Sequence, residues 1–304
     1  MPCKCTFGPR LSPLRPAGYD DIIRTLEVRA GSLGTGPDSV GWKINREIVV
    51  VLGWPAAILM QLAHPLVLAG VLDHSIFVSD PTRRWERLRS TVESMLLLTF
   101  GTPQQVQATA DKINAIHDYV HGELPRREGA FEAGAWYTAH DPELLRWVHA
   151  TLLEVIPRTY ELFVGPLTAE EKDAYCLEAT AIAPLLGMPE GFLPANVSEL
   201  SAYLERMYAS GAIHVTDRAR WMAGDLLTPP PPLPGWPPLV RLNALPTLAL
   251  LPEPLRRAYG FEWGRLDRAA AAAISALAPR LVPRLPPLMR HWPASRRRPA
   301  SAAD

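Results

Sequence analysis

The chain has 304 residues, of which 48% are apolar, and its 31 Lys and Arg residues balance 31 Asp and Glu residues. This apolar content is enough for a sizeable core and excludes wholesale disorder. A net charge of zero argues against a general polyanion-binding protein, because phosphate contacts need a surplus of cations, so we expect no nucleic-acid partner.

The N-terminal residues 1–19 are predicted to be flexible and contain two of the three cysteines, Cys3 and Cys5. Their spacing differs from the two-residue spacing of the usual zinc knuckle. Three cysteines exclude a disulfide scaffold and favour a reducing compartment. The segment has no apolar stretch typical of a secretion signal. We therefore expect a cytoplasmic protein.

The longest apolar stretch is 48–72, which runs for 25 residues without a formal charge. That length is enough to cross a bilayer. However, Pro55, Gln61, His64 and Pro65 lie in its middle, where an unpaired polar group is costly in lipid. We therefore favour a Pro-interrupted pair of buried helices over a membrane span.

The rest of the chain shows mainly helical periodicity, with plausible caps at the starts and no convincing run of alternating strands. The predicted helices cover 83–100 and 103–121, begin at Asp141-Pro142 and at Thr168, and cover 198–210 and 265–278. The fold class is therefore all-α, with a single large helical domain over 20–290.

The C-terminal region is rich in proline. Residues 229–238 hold seven prolines, which excludes a helix or a central strand and predicts a polyproline-type strap. Residues 291–304 contain a triple arginine and are predicted to form a disordered basic tail.

His117 is the most informative of the eight histidines. It follows Ile113 by four residues and precedes Val120 by three, so it shares a face with the apolar stripe of the predicted 103–121 helix. An inward imidazole must be neutral and hydrogen-bonded, or it must bind a ligand. A satisfied core histidine and a proximal ligand of haem iron both fit this pattern.

Two further patterns carry possible chemistry. On the predicted helix His117 and His121 are separated by four residues and could bind a metal, with Asp118 where zinc proteases have their catalytic Glu. Arg87 and Thr91 also share one helix face. They fit either an ordinary solvated face or a cation and a hydroxyl presented to a ligand.

Several motifs follow one another in a specific order: QLAHPLVLAGVLDHS at 61–75, RLRST at 87–91, INAIHDYVHG at 113–122, WYTAHDPELLRWVHATL at 136–152 and YCLEATAIAPLLGMP at 175–189. This ordered set resembles the family of MpaB and the rubber oxygenases. The resemblance implies an all-helical fold that encloses a b-type haem. It also implies an oxygenase that cleaves carbon–carbon double bonds of polyisoprenoid chains with dioxygen.

The resemblance assigns roles to individual residues. His117 matches the proximal iron ligand, and Arg87 and Thr91 match catalytic residues of the distal side, where Arg87 also contacts the cofactor. Ser90 stands where rubber-cleaving relatives have a Lys that can close the distal side, so the rubber substrate is not carried over. Three more histidines match recurrent positions and are expected near the pocket: His64, His74 and His149.

The sequence therefore predicts a haem b-dependent oxygenase that acts with dioxygen on an apolar, isoprenoid-like small molecule. Two alternatives remain open. One is a haem-binding protein without turnover, and the other is a zinc or non-haem metal hydrolase that uses His117 and His121.

Overall fold

The computed structural model describes residues 36–74, 84–227 and 237–296, without the side chains of 84–88 and 237–243. These residues are mostly helical, which confirms the predicted all-α class. The helices are α1 Val40–Asn45, α2 Trp54–Leu62, α3 Pro65–His74, α4 Arg84–Phe100, α5 Pro103–His117, α6 Pro142–Phe163, α7 Ala169–Ala179, α8 Val197–Ala209, α9 Asp217–Leu227, α10 Pro237–Leu250, α11 Glu253–Ala258, α12 Arg265–Leu281 and α13 Pro287–Arg290. The 3-10 segments are Ile48–Gly53, Thr180–Ile182, Pro184–Leu186, Val282–Arg284 and Pro293–Arg296.

Side-chain caps fix the starts of the helices that build the site. The Thr102 hydroxyl accepts from the backbone N–H of Gln105, and the Gln105 side chain accepts from the Thr102 N–H, which closes a capping box at α5. Thr168 and Glu171 form the same arrangement at α7. Asp141 caps α6. Because each cap is local in sequence, the predicted helix starts agree with the structure.

The apolar stretch 48–72 folds as a 3-10 segment followed by α2 and α3. Ile48–Leu62 and Pro65–His74 meet at an angle of 107°, with Pro65 as the first residue of the second helix. No single helix in the described ranges is long and apolar enough to cross a membrane, whereas this bent pair has the length and composition of a broken span.

Helix α6 is the centre of the core, and α2 packs along it at very short range. A Cβ atom built on Gly53, just before α2, would lie 1.9 Å from Oγ1 of the fully buried Thr159. About two turns further along α2, the Gln61 side chain donates from Nε2 to Thr151 Oγ1 of α6 at 3.0 Å. The absence of a side chain at position 53 therefore allows the two segments to approach this closely.

The end of α5 differs from the prediction. The helix ends at His117 rather than at 121, and a hairpin follows in which β1 (His121–Glu123) pairs antiparallel with β2 (Trp136–Thr138). The Val120 carbonyl accepts from the Ala139 N–H, directly after β2, so from this residue onwards the backbone pairs with the second strand of the hairpin. The prediction that His117 and His121 share a helix face is therefore wrong.

The C-terminal boundaries also differ from those predicted. Residues 229–236 of the predicted strap lie outside the described residues, but Pro237 and Pro238 begin α10, where a missing N–H costs nothing. Residues 291–296, predicted as part of the disordered tail, are held in place. The Trp292 N–H donates to the Arg46 carbonyl, and His291 forms a β-bridge with Glu47. Segment 1–19, which the sequence predicts to be flexible, and residues 297–304 of the predicted tail lie outside the described residues.

Gly53→Ala is expected to lower the free energy of unfolding by about 1–3 kcal/mol, because the added methyl overlaps the Thr159 side chain. Gly224→Ala in α9 is the matched control. Its Cβ would meet nothing within 4 Å, so we expect a gain of up to about 1 kcal/mol from helix propensity. Urea denaturation followed by circular dichroism measures both.

A Gly53→Ala/Thr159→Ala double variant separates the overlap from other effects. It should be more stable than the sum of the two single losses predicts, because the second substitution removes the overlapping atoms. Strict additivity would contradict the close approach as the cause.

Candidate active site

A cavity of about 760 Å³ lies between α3, α4, α5, β2, α6 and α7. Its volume falls in the range of roughly 300–1,000 Å³ that is typical of small-molecule and cofactor sites. The wall is mainly aliphatic, and representative members are Leu66, Val71, Leu98, Ile113, Leu145 and Ile156. The cavity therefore suits a large apolar ligand.

Helices α4 and α5 form one side of the cavity as a pair joined by residues 101–102. Because the connection is short, the beginning of α4 and the end of α5 lie at the same end of the pair. Ser90 and Thr91 near the start of α4, and His117 at the end of α5, all line the cavity. The structure thus brings the predicted Thr91 and His117 to one site.

His117 is half-buried, and its Nδ1 atom is buried without a hydrogen-bond partner among the described residues. Burial lowers the pKa of His117 below its usual value, and the neighbouring His140 lowers it further, whereas Asp118 opposes the shift. The ring is therefore neutral at pH 7. A buried N–H without an acceptor costs free energy, so a bare Nδ1 favours the tautomer in which this atom holds a lone pair.

Two contacts fix the end of α5 against the rest of the cavity. The Asn114 side chain donates to the Leu185 carbonyl at 2.8 Å, which ties α5 to the turn after α7. His140 Nε2 lies 2.8 Å from Asp118 Oδ1, and the His140 ring meets the His117 ring edge-on at 5.7 Å between centroids. The end of α5 is thus tied to the rest of the structure, and the His117 ring contacts the His140 ring.

The three predicted pocket histidines separate in the structure. His149 on α6 and His74 at the end of α3 line the cavity. His64 is 4% exposed and packs 5.2 Å from the Phe131 ring, and it is not part of the cavity wall. Burial lowers the pKa of both His64 and His149 to about 4, so both rings are neutral near pH 7.

The structure does not place the other two predicted residues, Arg87 and His121, on the cavity wall. Helix α4 includes Arg87, but its side chain lies outside the described residues. His121 is exposed on β1, where it stacks on Trp136 at 5.5 Å between centroids, and it does not line the cavity. Within the described ranges no group of three or more His, Cys, Asp or Glu residues could hold a metal ion.

A polar network at the cavity wall was not predicted from the sequence. The Tyr137 hydroxyl donates to Asp73 Oδ2 at 3.0 Å and lies 3.3 Å from His74 Nε2, while Arg218 pairs with Asp73 at 2.9 Å. Burial, and then the hydrogen bond to Asp73, raise the pKa of Tyr137 to about 12. Tyr137 therefore stays protonated and keeps its hydroxyl bonded to Asp73 at the wall of the mainly aliphatic cavity.

The family model of the ER-bound oxygenase mpaB/B'/rubber oxygenase catalytic domain matches residues 42–280. This range contains every residue that lines the cavity except Gly41. No curated protein and no solved structure matches the chain.

The half-buried, neutral His149, whose Nε2 atom is fully buried, should make stability depend on pH. Its pKa of about 4 lies below the value of 6.5 expected in the unfolded chain, so the unfolded state binds the proton more tightly. The stabilisation is complete above pH 6.5 and is lost as the pH falls towards 4. His149→Gln should therefore reduce the loss in unfolding free energy between pH 7 and pH 5 by about 2 kcal/mol.

Denaturation at both pH values measures this difference. Val148→Ala changes the same wall without a titratable group, and it should lower stability equally at pH 7 and pH 5. An unchanged pH dependence in His149→Gln would show that His149 is not buried as described.

Proposed function

The chain belongs to the family of mpaB and rubber oxygenase catalytic domains, and from this membership and the cavity we propose that it is a haem b-dependent oxygenase acting with dioxygen on an apolar, isoprenoid-like small molecule. The family gives the oxygenase role. The dependence on haem and the isoprenoid-like substrate class are our proposals beyond the family's oxygenase role. The observation that carries them is a neutral histidine with a bare ring nitrogen at the wall of a large aliphatic cavity.

The residues of the cavity fit a haem. Its aliphatic wall matches the faces of a porphyrin, and its volume lies in the range of cofactor sites. His117 supplies a neutral imidazole, which is the form that ligates iron. When bound, the haem would supply the iron chemistry with dioxygen, which no amino-acid side chain can supply.

The chain's own residues would hold and orient the reactants. His117 would bind the iron from the α5 side. Thr91 lines the same cavity and would offer a hydroxyl hydrogen bond on the α4 side, together with the Arg87 guanidinium proposed from the family motif. The aliphatic wall would exclude water and align the substrate chain.

The proposed reaction needs no further electron donor. Cleavage of a carbon–carbon double bond by one dioxygen gives two carbonyl groups, so the substrate supplies the electrons and both oxygen atoms enter the products. Ser90 lines the cavity where rubber-cleaving relatives have a Lys. A substrate other than rubber, small enough for the cavity, is therefore the better candidate.

His117→Ala should abolish stable haem binding while leaving the helical fold intact, because no other histidine replaces it at the end of α5. His121→Ala is the matched control, since His121 is exposed, lies four residues away and does not line the cavity. We expect this variant to retain its haem. The Soret band of each reconstituted variant measures haem, and circular dichroism verifies folding.

A normal Soret band in His117→Ala, combined with its loss in His121→Ala, would reverse the ligand assignment. Failure of the parent protein to take up haem on reconstitution would contradict the haem proposal altogether.

Arg87→Ala and Thr91→Val should each lower oxygenase turnover by a larger factor than haem content, because both are proposed to act on the reactants and not on the iron ligand. A loss of about 100-fold is typical when one such polar contact is removed. Arg89→Ala is the control, since Arg89 lies on the same helix but is exposed and paired with Glu93 at 2.7 Å. Turnover under air with a panel of isoprenoid substrates measures the effect.

Loss of haem in proportion to activity would instead make Arg87 or Thr91 a cofactor-holding or folding residue. Turnover that is absent even in the haem-loaded parent would favour a haem-binding protein without oxygenase activity.

A further inference from the structure

The C-terminal helices expose a row of large apolar side chains to solvent. They lie on the last part of α12, at Leu285 after the following 3-10 turn, and on α13. We name this set the leucine stripe; its members, each between 41% and 74% exposed, are Leu277, Leu281, Leu285, Leu288 and Met289. Large apolar side chains exposed this densely in one segment of a folded domain are typical of an interaction site.

Cationic side chains flank the leucine stripe in a segment that itself contains no acidic residue. Residues 277–296 contain four arginines and no Asp or Glu, although the whole chain has a net charge of zero. The Arg280 and Arg284 guanidinium groups contact backbone carbonyls one turn earlier, and neither has a carboxylate partner among the described residues. Their charges are therefore available to an anionic partner.

The segment is anchored to the core from behind, which keeps the leucine stripe facing outward. Arg290 Nε donates to Glu47 Oε2 at 2.6 Å, and Glu47 is fully buried. Trp292 lines a small pocket with Met95 and Thr99, and the latter two also line the large cavity. The segment that follows the stripe is thus fixed next to two residues of the cavity wall.

We propose that the leucine stripe with Arg280 and Arg284 docks on the surface of a membrane that contains anionic lipids. An interfacial helix has this composition: aliphatic side chains that enter the acyl boundary and arginines that contact lipid phosphates. A nucleic acid would use the arginines but leave the apolar row unpaired. The inference does not depend on the haem. Docking of this kind would bring the protein to the lipid bilayer, in which apolar substrates dissolve.

Co-sedimentation of the full chain with vesicles tests this proposal. The protein should bind vesicles of phosphatidylcholine mixed with phosphatidylserine, bind pure phosphatidylcholine much more weakly, and dissociate at high salt. Arg280→Glu/Arg284→Glu and Leu281→Ser/Leu288→Ser should each lower binding about tenfold or more, because both the charges and the apolar area contribute.

Arg265→Glu/Leu266→Ser is the matched control, since both residues are exposed at the other end of α12 and outside the leucine stripe. It should bind as the parent does. Circular dichroism verifies that every variant is folded. Absence of vesicle binding, equal binding by all variants, or a concentration-dependent dimer that only Leu281→Ser/Leu288→Ser abolishes would overturn the proposal. The dimer would make the stripe a contact between copies of the chain.

Discussion

The close approach of α2 to α6 is the constraint from which the rest of the structure follows. It requires Gly53, because a side chain there would overlap Thr159. With α6 held in this way, its two faces have different environments. One face is fully buried against the core, with Trp147 and Val155, while the other borders the cavity, with Val148 and Leu152. The same helix therefore completes the core and forms a wall of the candidate site.

An aliphatic wall of this size determines the chemistry of the polar groups within it. Charge is costly where water is excluded, so burial keeps His117 and His149 neutral. A neutral imidazole with a free lone pair is a metal ligand and not a cation. Tyr137 is held protonated for the same reason, with its hydroxyl bonded to Asp73. The proposed oxygenase chemistry relies on these neutral polar groups in a mainly aliphatic wall as much as on any single residue.

Local signals in the sequence predict the fold well where structure is locally determined. The capping residues Thr102 and Thr168 predict helix starts because their partners lie three residues away. The apolar stripe likewise predicts that His117 points inward. The end of α5 is mispredicted because it depends on the pairing of the following hairpin with β2. Segment 291–296 is mispredicted as disordered because it is held by contacts far away in sequence, such as the bond from the adjacent Arg290 to a residue 243 positions earlier. The Tyr137–Asp73 contact gives no sequence signal for the same reason.

The cofactor content of the purified protein tests the central claim most directly. Iron and porphyrin are measured together with the visible spectrum, and zinc is measured in the same sample. We predict one iron and one porphyrin per chain, with a Soret band that persists after gel filtration. Stoichiometric zinc without porphyrin, or a protein that remains colourless after incubation with haemin, would contradict the haem-dependent oxygenase.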